Sequence, residues 1–90
     1  MKLGGNTVLI TGGTSGIGLE LAAKLLEREN TVIVTGRDAA ALAAARQKFP
    51  GLHTLQSDVR DPGAVIELHR RVMAEFPRLN VLVNNAGVMR

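Results

Sequence analysis

The chain has 90 residues, of which 46% are hydrophobic and 21% are charged, a composition typical of one small globular domain rather than a disordered segment. It contains no Cys, which excludes disulfides, thiolate catalysis and sulfur-ligated metals, and no Tyr, which excludes chemistry that needs a phenol. The net charge of +3 comes from basic residues scattered along the chain, which favours a solvated surface over a nucleic-acid interface.

Four strand patterns are spaced along the chain. Residues 7–11 and 31–35 are continuous runs of strand-forming residues, typical of strands that are buried on both faces. Residues 52–57 are more polar and indicate a strand nearer an edge of the sheet. Residues 81–83 begin a fourth strand that ends at Asn84-Asn85.

Three helical patterns lie between these strands. The first follows a glycine-rich turn, repeats apolar residues four positions apart, and ends near Asn30. The second begins after an N-cap, Asp38, and ends at Phe49 before a Pro-Gly pair. The third begins after Asp61, which precedes a first-turn proline. Its predicted apolar face consists of Val65, Ile66, Leu68, Val72, Met73 and Phe76.

The order β-α-β-α-β-α-β decides the fold class. Strands that alternate with helices of about 10–15 residues form βαβ units. Such units build a parallel sheet with right-handed crossovers and helices on both of its faces. The sequence therefore predicts an α/β fold.

The sequence shows no targeting or membrane segment. The first six residues carry one positive charge and no apolar stretch long enough for a signal peptide. Apolar runs elsewhere are only a few residues long. We therefore expect a cytoplasmic protein.

The turn between the first strand and the first helix reads Thr-Gly-Gly-Thr-Ser-Gly-Ile-Gly. A diphosphate must approach such a backbone closely, and the N–H groups of the following helix must point at it. Gly12 and Gly16 allow the tight turn and the close approach, and Gly18 lets the helix pack on the strand. Thr14 and Ser15 add hydroxyl donors. The turn is therefore a candidate diphosphate-binding site.

Two other glycine loops do not fit these residues. The phosphate loop of ATPases needs Lys and then Ser or Thr after its last glycine, whereas Gly18 is followed by Leu19 and Glu20. The G-x-G-x-x-G fingerprint has different gaps between its glycines. A glycine-rich turn that binds no ligand is the remaining alternative.

The spacing Thr-Gly-x-x-x-Gly-x-Gly after a first strand resembles the short-chain dehydrogenase/reductase family. Three further features resemble that family in order and separation: Arg37 just past the second strand, Asp58-Val59 closing the third, and Asn84-Asn85-Ala86-Gly87 ending the fourth. Together they cover almost the whole chain. The amino-acid sequence of the first half of the chain is most similar to the bacterial DltE-like branch of this family.

The resemblance implies a Rossmann-like three-layer sandwich. We expect the strand order 3-2-1-4, with the first two helices on one face of the sheet and the third on the other. Residues 1–90 would form a single N-terminal NAD(P)-binding portion without the family's catalytic half.

The resemblance also implies which residues bind the cofactor. Residues around the pyrophosphate and the adenosine ribose would be Gly12, Gly13, Thr14, Ser15, Gly16, Ile17 and Gly18. Asp58 would accept a hydrogen bond from the adenine amino group, with the Val59 backbone beside it. Asn85, Ala86 and Gly87 would line the ribose, and Asn84 would tie neighbouring strands together. The alternatives are a helix-capping or surface carboxylate at position 58 and an ordinary strand-end turn at the paired Asn residues.

The choice of cofactor depends on charge near the adenosine ribose. NAD sites place Asp or Glu at the end of the second strand to bind the 2′-hydroxyl. Here Gly36 holds that position, and the guanidinium of Arg37 suits a 2′-phosphate. Asp38 is contrary evidence, explained by its N-cap position, and Ser15 replaces a basic residue that many NADP-dependent relatives carry. We expect NADP, with NAD as the alternative.

The family's chemistry is hydride transfer between the nicotinamide cofactor and a small-molecule carbonyl or alcohol, using Tyr, Lys and Ser. Those groups follow the Asn-Ala-Gly segment in the family, and this chain contains no Tyr. We expect an oxidoreductase represented by its dinucleotide-binding half, with no catalytic residue, no metal site and no turnover. His53 and His69 are interpreted as packing or surface residues. The alternative is a non-catalytic nucleotide-binding or interaction module.

We also expect self-association. The fourth strand would be an apolar, unpaired edge, and one face of the sheet would be only partly covered. A second copy of the chain could bind either feature.

Overall fold

The computed structural model describes residues 4–12, 14, 16–58 and 60–84. Its elements, in chain order, are β1 (Thr7–Thr11), α1 (Gly16–Glu27), β2 (Thr31–Gly36), α2 (Ala39–Lys48), β3 (His53–Gln56), α3 (Pro62–Glu75) and β4 (Val81–Asn84). All seven predicted elements are present. The third strand is one residue shorter at each end than predicted.

The four strands form one parallel sheet in the order β3-β2-β1-β4. β1 lies in the interior, where Leu9 pairs with Ile33 of β2 on one side and with Leu82 of β4 on the other. β3 and β4 are the edge strands of the described sheet. The predicted strand order 3-2-1-4 is confirmed.

Alternate residues of the inner strands face opposite layers, as the two-residue period of a strand requires. Val8, Ile10 and Val34 are buried on the side of α1 and α2, together with Ala22 of α1 and Leu42 of α2. On the opposite side of the sheet, Leu9, Ile33 and Leu55 are buried together with Leu68 and Val72 of α3. The structure is therefore the predicted three-layer α/β sandwich.

α1 ends in a left-handed turn centred on Glu29, which has φ 62°. The backbone N–H of Asn30 donates to the Leu25 carbonyl at 3.3 Å, and its side-chain amide donates to the same oxygen at 2.8 Å. Asn30 therefore ends the helix by binding its carbonyls, while the left-handed position belongs to Glu29, where glycine is usual.

The other two helices begin as predicted. Asp38 caps α2, its Oδ1 accepting from the N–H of Ala40 at 2.9 Å, and Asp61 caps α3, its Oδ1 accepting from Gly63 N–H at 3.0 Å. Each cap satisfies a helix N–H that has no partner within its own helix.

The apolar face of α3 is narrower than predicted. Leu68 and Val72 are buried, whereas Val65, Ile66 and Met73 are exposed. At 100° per residue, Ile66 and Met73 lie roughly 150° around the helix from Leu68, so they point away from the sheet.

None of the helices described in the structure is long and apolar enough to cross a membrane.

Three asparagines join the strands at their amino ends. The backbone N–H of Asn6, before β1, donates to Asn30 Oδ1 at 3.0 Å. Asn80, before β4, donates through Nδ2 to Asn6 Oδ1 at 2.9 Å and accepts from Thr7 N–H at 2.8 Å. This asparagine cluster lies at the end of the sheet opposite the glycine-rich turn, because the strands are parallel.

Candidate functional site

The carboxyl ends of the four strands carry the predicted site residues. Gly12 follows β1, Arg37 follows β2, Asp58 lies after β3, and Asn84 ends β4. In an open parallel sheet these ends meet at one edge, where ligands of α/β proteins bind. The structure therefore brings together residues that are up to 72 positions apart in sequence (12 and 84).

The glycine-rich turn adopts the backbone conformations that its glycines allow. Gly12 has φ 71° and Gly16 has φ 60°, values in the left-handed region that favours glycine. Gly12 N–H donates to the Thr35 carbonyl at 3.0 Å, which fixes the start of the turn against β2. A Cβ added to Gly16 would meet no atom within 4 Å. The surface at Gly16 is therefore open to a ligand.

Gly36 sets how closely the turn approaches β2. A Cβ at this position would lie 2.9 Å from Thr14 Cγ2, closer than such atoms pack. Gly36 is thus required for the position of Thr14, a role that the sequence analysis did not assign. The available indication was a glycine at the end of a strand, which often marks close approach of another backbone.

Gly18 and Ile17 occupy different environments in the first turn of α1. Gly18 is buried. Ile17 is 78% exposed and is not part of the core. An exposed apolar residue beside Gly16 is available for contact with a ligand.

Arg37 and Asp38 have separate functions at the end of β2. Arg37 is exposed, and its carbonyl accepts a hydrogen bond from Gln56 Nε2 at 3.1 Å, which fixes the backbone at that position. The carboxylate of Asp38 is directed at the first N–H groups of α2. The N-cap interpretation of Asp38 is therefore confirmed.

Asp58 is held by Arg60. Asp58 Oδ1 accepts from the backbone N–H and from Nε of Arg60, both at 3.0 Å, and Oδ2 accepts from Nη2 at 2.9 Å. These contacts, first the side-chain hydrogen bonds and then the backbone hydrogen bond, lower the pKa of Asp58 to about 2, and the nearby charge of Arg37 acts in the same direction. The carboxylate is thus an acceptor at neutral pH. Arg60 is not among the residues predicted from the sequence, although an Arg two positions after Asp is a visible pattern.

Asn84 connects β4 to the neighbouring strand β1. The hydroxyl of Thr11 donates to Asn84 Oδ1 at 3.1 Å. The expected tie between neighbouring strands is confirmed.

Six further predicted site residues lie outside the described residues, namely Gly13, Ser15, Val59, Asn85, Ala86 and Gly87.

The histidines take no part in this site. The His53 ring lies edge-on to the Phe76 ring with centroids 5.1 Å apart, which is a packing contact, and His69 is exposed on α3. Within the described ranges, no group of three or more His, Cys, Asp or Glu residues could hold a metal ion.

The chain is similar to several oxidoreductases. It is 54% identical over 90 residues to oxidoreductase DltE of Bacillus subtilis (strain 168), covering 100% of this chain and 36% of that protein. It is 38% identical over 82 residues to the NADP-dependent 3-hydroxy acid dehydrogenase YdfG of Salmonella typhi, covering 90% of this chain and 33% of that protein. The chain thus spans about a third of the length of these relatives.

Solved structures show the same fold. The Pseudomonas aeruginosa RhlG/NADP active-site complex matches with a TM-score of 0.87 and 32% identity, over 96% of this chain and 36% of that chain. A short chain dehydrogenase from Bacillus anthracis matches with a TM-score of 0.83, also at 32% identity, over 94% of this chain and 36% of that chain.

The family described as short chain dehydrogenase matches residues 6–90. That match includes all seven elements and every predicted site residue. The chain therefore belongs to the short-chain dehydrogenase/reductase family.

Proposed function

We propose that this chain is the dinucleotide-binding portion of an NAD(P)-dependent oxidoreductase that acts on a small-molecule carbonyl or alcohol. The observation that supports the proposal most directly is the glycine-rich turn between β1 and α1, where Gly12 and Gly16 have left-handed φ angles and the space beside Gly16 is open. Membership of the short-chain dehydrogenase family supports it. The nicotinamide cofactor, when bound, supplies or accepts the hydride.

The residues of the turn fit a pyrophosphate. The amino end of α1 is a source of N–H donors and of positive helix-dipole charge, and its first residue is Gly16. A backbone without a Cβ at that point allows phosphate oxygens to approach. Thr14 offers a hydroxyl donor, and exposed Ile17 offers apolar contact. Gly13 and Ser15 stay predicted members of this group.

The adenosine end would be recognised by Asp58 and Arg37. The ionised carboxylate of Asp58 suits the adenine amino group as a hydrogen-bond acceptor. The exposed guanidinium of Arg37 suits a 2′-phosphate, and Asp38 is engaged as a helix cap. We therefore infer NADP as the preferred cofactor, with support from the relative named as NADP-dependent. Val59, Asn85, Ala86 and Gly87 stay predicted adenosine-binding residues.

Calorimetry with NADP, NAD and ADP-ribose tests binding. Gly16→Ala adds one Cβ in the open space of the turn and is expected to weaken NADP binding about tenfold, which corresponds to ~1.4 kcal/mol. Gly5→Ala is a matched control, because Gly5 also has a positive φ (76°) and open space but lies at the opposite end of the sheet. Equal NADP affinity of the two variants would contradict the proposed turn.

Cofactor choice is tested by Arg37→Glu. Charge-assisted hydrogen bonds to a phosphate are worth roughly 1.5–3 kcal/mol, so this variant is expected to lose about tenfold or more in NADP affinity. NAD, which lacks the 2′-phosphate, should lose little. Equal losses for both dinucleotides would refute the assignment of Arg37.

We also propose that the ninety residues bind the cofactor without turning over a substrate. The reason is that the tyrosine acid–base group of the family is absent from this sequence. A rate above background with any ketone or alcohol in purified material would contradict this statement.

Self-association through β4 is a further part of the proposal. Within the described sheet β4 is an edge strand, and Leu82 is 63% exposed. An exposed apolar edge strand can pair with the same strand of a second copy. Sedimentation should show dimers or larger species, and Leu82→Lys should shift them to monomers. A stable wild-type monomer at high concentration would count against self-association.

The cytoplasmic location stays a prediction.

A further inference from the structure

The carboxylate of Asp58 has little hydrogen-bonding capacity left after its contacts with Arg60. A carboxylate has roughly four acceptor positions, two on each oxygen. Oδ1 accepts from two donors of Arg60, and Oδ2 accepts from one. Considering only the described residues, about one acceptor position is left, and it is on Oδ2.

The two contacts from the guanidinium also fix the plane of that carboxylate. Nε and Nη2 of Arg60 bind the two different oxygens of Asp58, at 3.0 and 2.9 Å. A planar guanidinium paired with both oxygens holds the carboxylate in its own plane. The remaining acceptor position on Oδ2 therefore has a defined direction.

This ion pair is poorly explained as a stabilising contact. The Arg60 side chain is 69% exposed and that of Asp58 is 33% exposed. Exposed ion pairs contribute little to stability. The carboxylate does not cap α3, because Asp61 does so. A role at the ligand-binding edge of the sheet accounts better for a side chain held in this way.

We propose that Arg60 is a positioning residue for adenine: it fixes the carboxylate of Asp58 so that Oδ2 presents one acceptor to the exocyclic amino group of the base. The inference rests on the proposed function, which assigns Asp58 to the adenine end of the dinucleotide. It goes beyond that function by naming the residue that makes Asp58 selective. The lowered pKa of Asp58 is consistent with the strength of the pair.

Selectivity follows from the chemistry of the purine at carbon 6. Adenine carries an amino group there, which donates to a carboxylate oxygen. Hypoxanthine carries a carbonyl oxygen, which an ionised carboxylate repels. A hydrogen bond to a charged acceptor held in one direction is expected to favour adenine by about 10- to 100-fold.

The experiment compares two dinucleotides that differ only at this position. NADP and nicotinamide hypoxanthine dinucleotide phosphate are titrated calorimetrically into the full chain and into Arg60→Leu. The wild-type chain should prefer NADP by about tenfold or more, and the preference should fall to about threefold or less in Arg60→Leu, mainly through weaker NADP binding. A change in phosphate binding or in the folded fraction alters both affinities by the same factor, so it does not change their ratio.

Two further variants separate geometry from charge. Arg60→Lys keeps the positive charge but cannot bind both oxygens of the carboxylate in one plane, so its preference for adenine should fall as in Arg60→Leu. Arg71→Leu removes the same charge from another exposed ion pair, with Glu75 on α3, and should keep the wild-type preference. Thermal unfolding of each variant checks that it is folded at the temperature of the titration.

Three results would overturn the inference, and they can be distinguished. An unchanged adenine preference in Arg60→Leu, or tighter NADP binding, would mean that Arg60 has no positioning role or competes with the base. Failure of the wild-type chain to bind either dinucleotide would instead remove the proposed function, and the inference with it.

Discussion

At the end of β2, a single missing Cβ determines where the glycine-rich turn lies. Gly36 faces Thr14, and any larger residue would bring its Cβ within 2.9 Å of Thr14 Cγ2. Thr is β-branched and has few alternative rotamers, so the clash is relieved most directly by displacing the turn. Gly36 therefore acts on the candidate site through Thr14 rather than through contact with a ligand.

Gly36→Ala should accordingly weaken NADP binding. Overpacking costs about 1 kcal/mol or more. If displacement of the turn accounts for this cost, NADP affinity falls roughly fivefold. Thr14→Ser removes Cγ2, so the double variant Gly36→Ala/Thr14→Ser should bind more tightly than Gly36→Ala alone. Calorimetric titration of the three variants measures both effects.

Gly51→Ala is the control for this prediction. A Cβ at Gly51 would lie 3.8 Å from Leu26 Cδ2, an ordinary contact, and far from the carboxyl ends of the strands. Its NADP affinity should equal that of the wild-type chain. If Gly36→Ala also binds like the wild type, the contact with Thr14 does not position the turn.

The sequence predicted individual residues best where one local rule decides. Asp38 and Asp61 were identified as N-caps because each lies before a helical pattern, and both cap their helices. The ion pair of Asp58 with Arg60 was not predicted, because an acidic and a basic residue two positions apart in a loop pair only in some loop conformations. The contact of Gly36 with Thr14 was missed for a similar reason, since it joins residues of two different βα turns.

At the scale of elements, the end of α1 carries a residue with an unfavourable backbone conformation. Glu29 has φ 62°, and its N–H donates to the Leu26 carbonyl at 3.1 Å. The Asn30 N–H returns to Leu25, so the two bonds close the helix in the pattern that usually has glycine at the left-handed position. A side chain in that conformation costs about 1 kcal/mol.

Glu29→Gly is expected to stabilise the chain by about 0.5–1 kcal/mol, because glycine adopts this conformation without the clash at Cβ. Urea denaturation measures the change as an increase in the free energy of unfolding. Glu29→Gln removes the same negative charge but keeps the Cβ, and it should leave stability nearly unchanged. Equal stabilisation by Gly and Gln would show that charge, not conformation, is responsible.

The predicted faces of the helices were correct where the sheet covers them and wrong elsewhere. Apolar periodicity indicated one broad face on α3, but only the stripe around Leu68 and Val72 packs on the sheet. Ile66 and Met73 are exposed although they are apolar. Hydropathy alone does not reveal how much of a helix a neighbouring layer covers, because that depends on the position of the helix over the sheet.

At the scale of the whole molecule, the two ends of the sheet carry different groups of residues. The carboxyl ends carry the glycine-rich turn, Arg37 and Asp58. The amino ends are joined by the asparagine cluster of Asn6, Asn30 and Asn80. The strand order could be expected from the family resemblance, but the asparagine cluster could not, since it links residues 74 positions apart whose side chains meet only in the folded sheet.

The cluster should therefore support stability without affecting the ligand site. Asn80→Ala removes the acceptor for Thr7 N–H and the donor to Asn6 Oδ1, two hydrogen bonds that contribute about 1 kcal/mol each. Asn80→Asp keeps the acceptor and loses only the donor, so it separates the two bonds. Unfolding in urea should show a double-mutant coupling of about 1 kcal/mol between Asn6→Ala and Asn80→Ala.

The NADP affinity of the same variants tests whether the two ends are independent. At denaturant-free conditions where the variants are folded, Asn80→Ala should bind NADP as the wild-type chain does, because its contacts lie at the opposite end of β1 and β4 from Gly12 and Asn84. The unfolded fraction of the variant accounts for some loss of NADP affinity. A larger loss would show that strand pairing at the amino ends affects the conformation of the glycine-rich turn. The two ends of the sheet would then be coupled, and a substitution at either end would change both the free energy of unfolding and the NADP affinity.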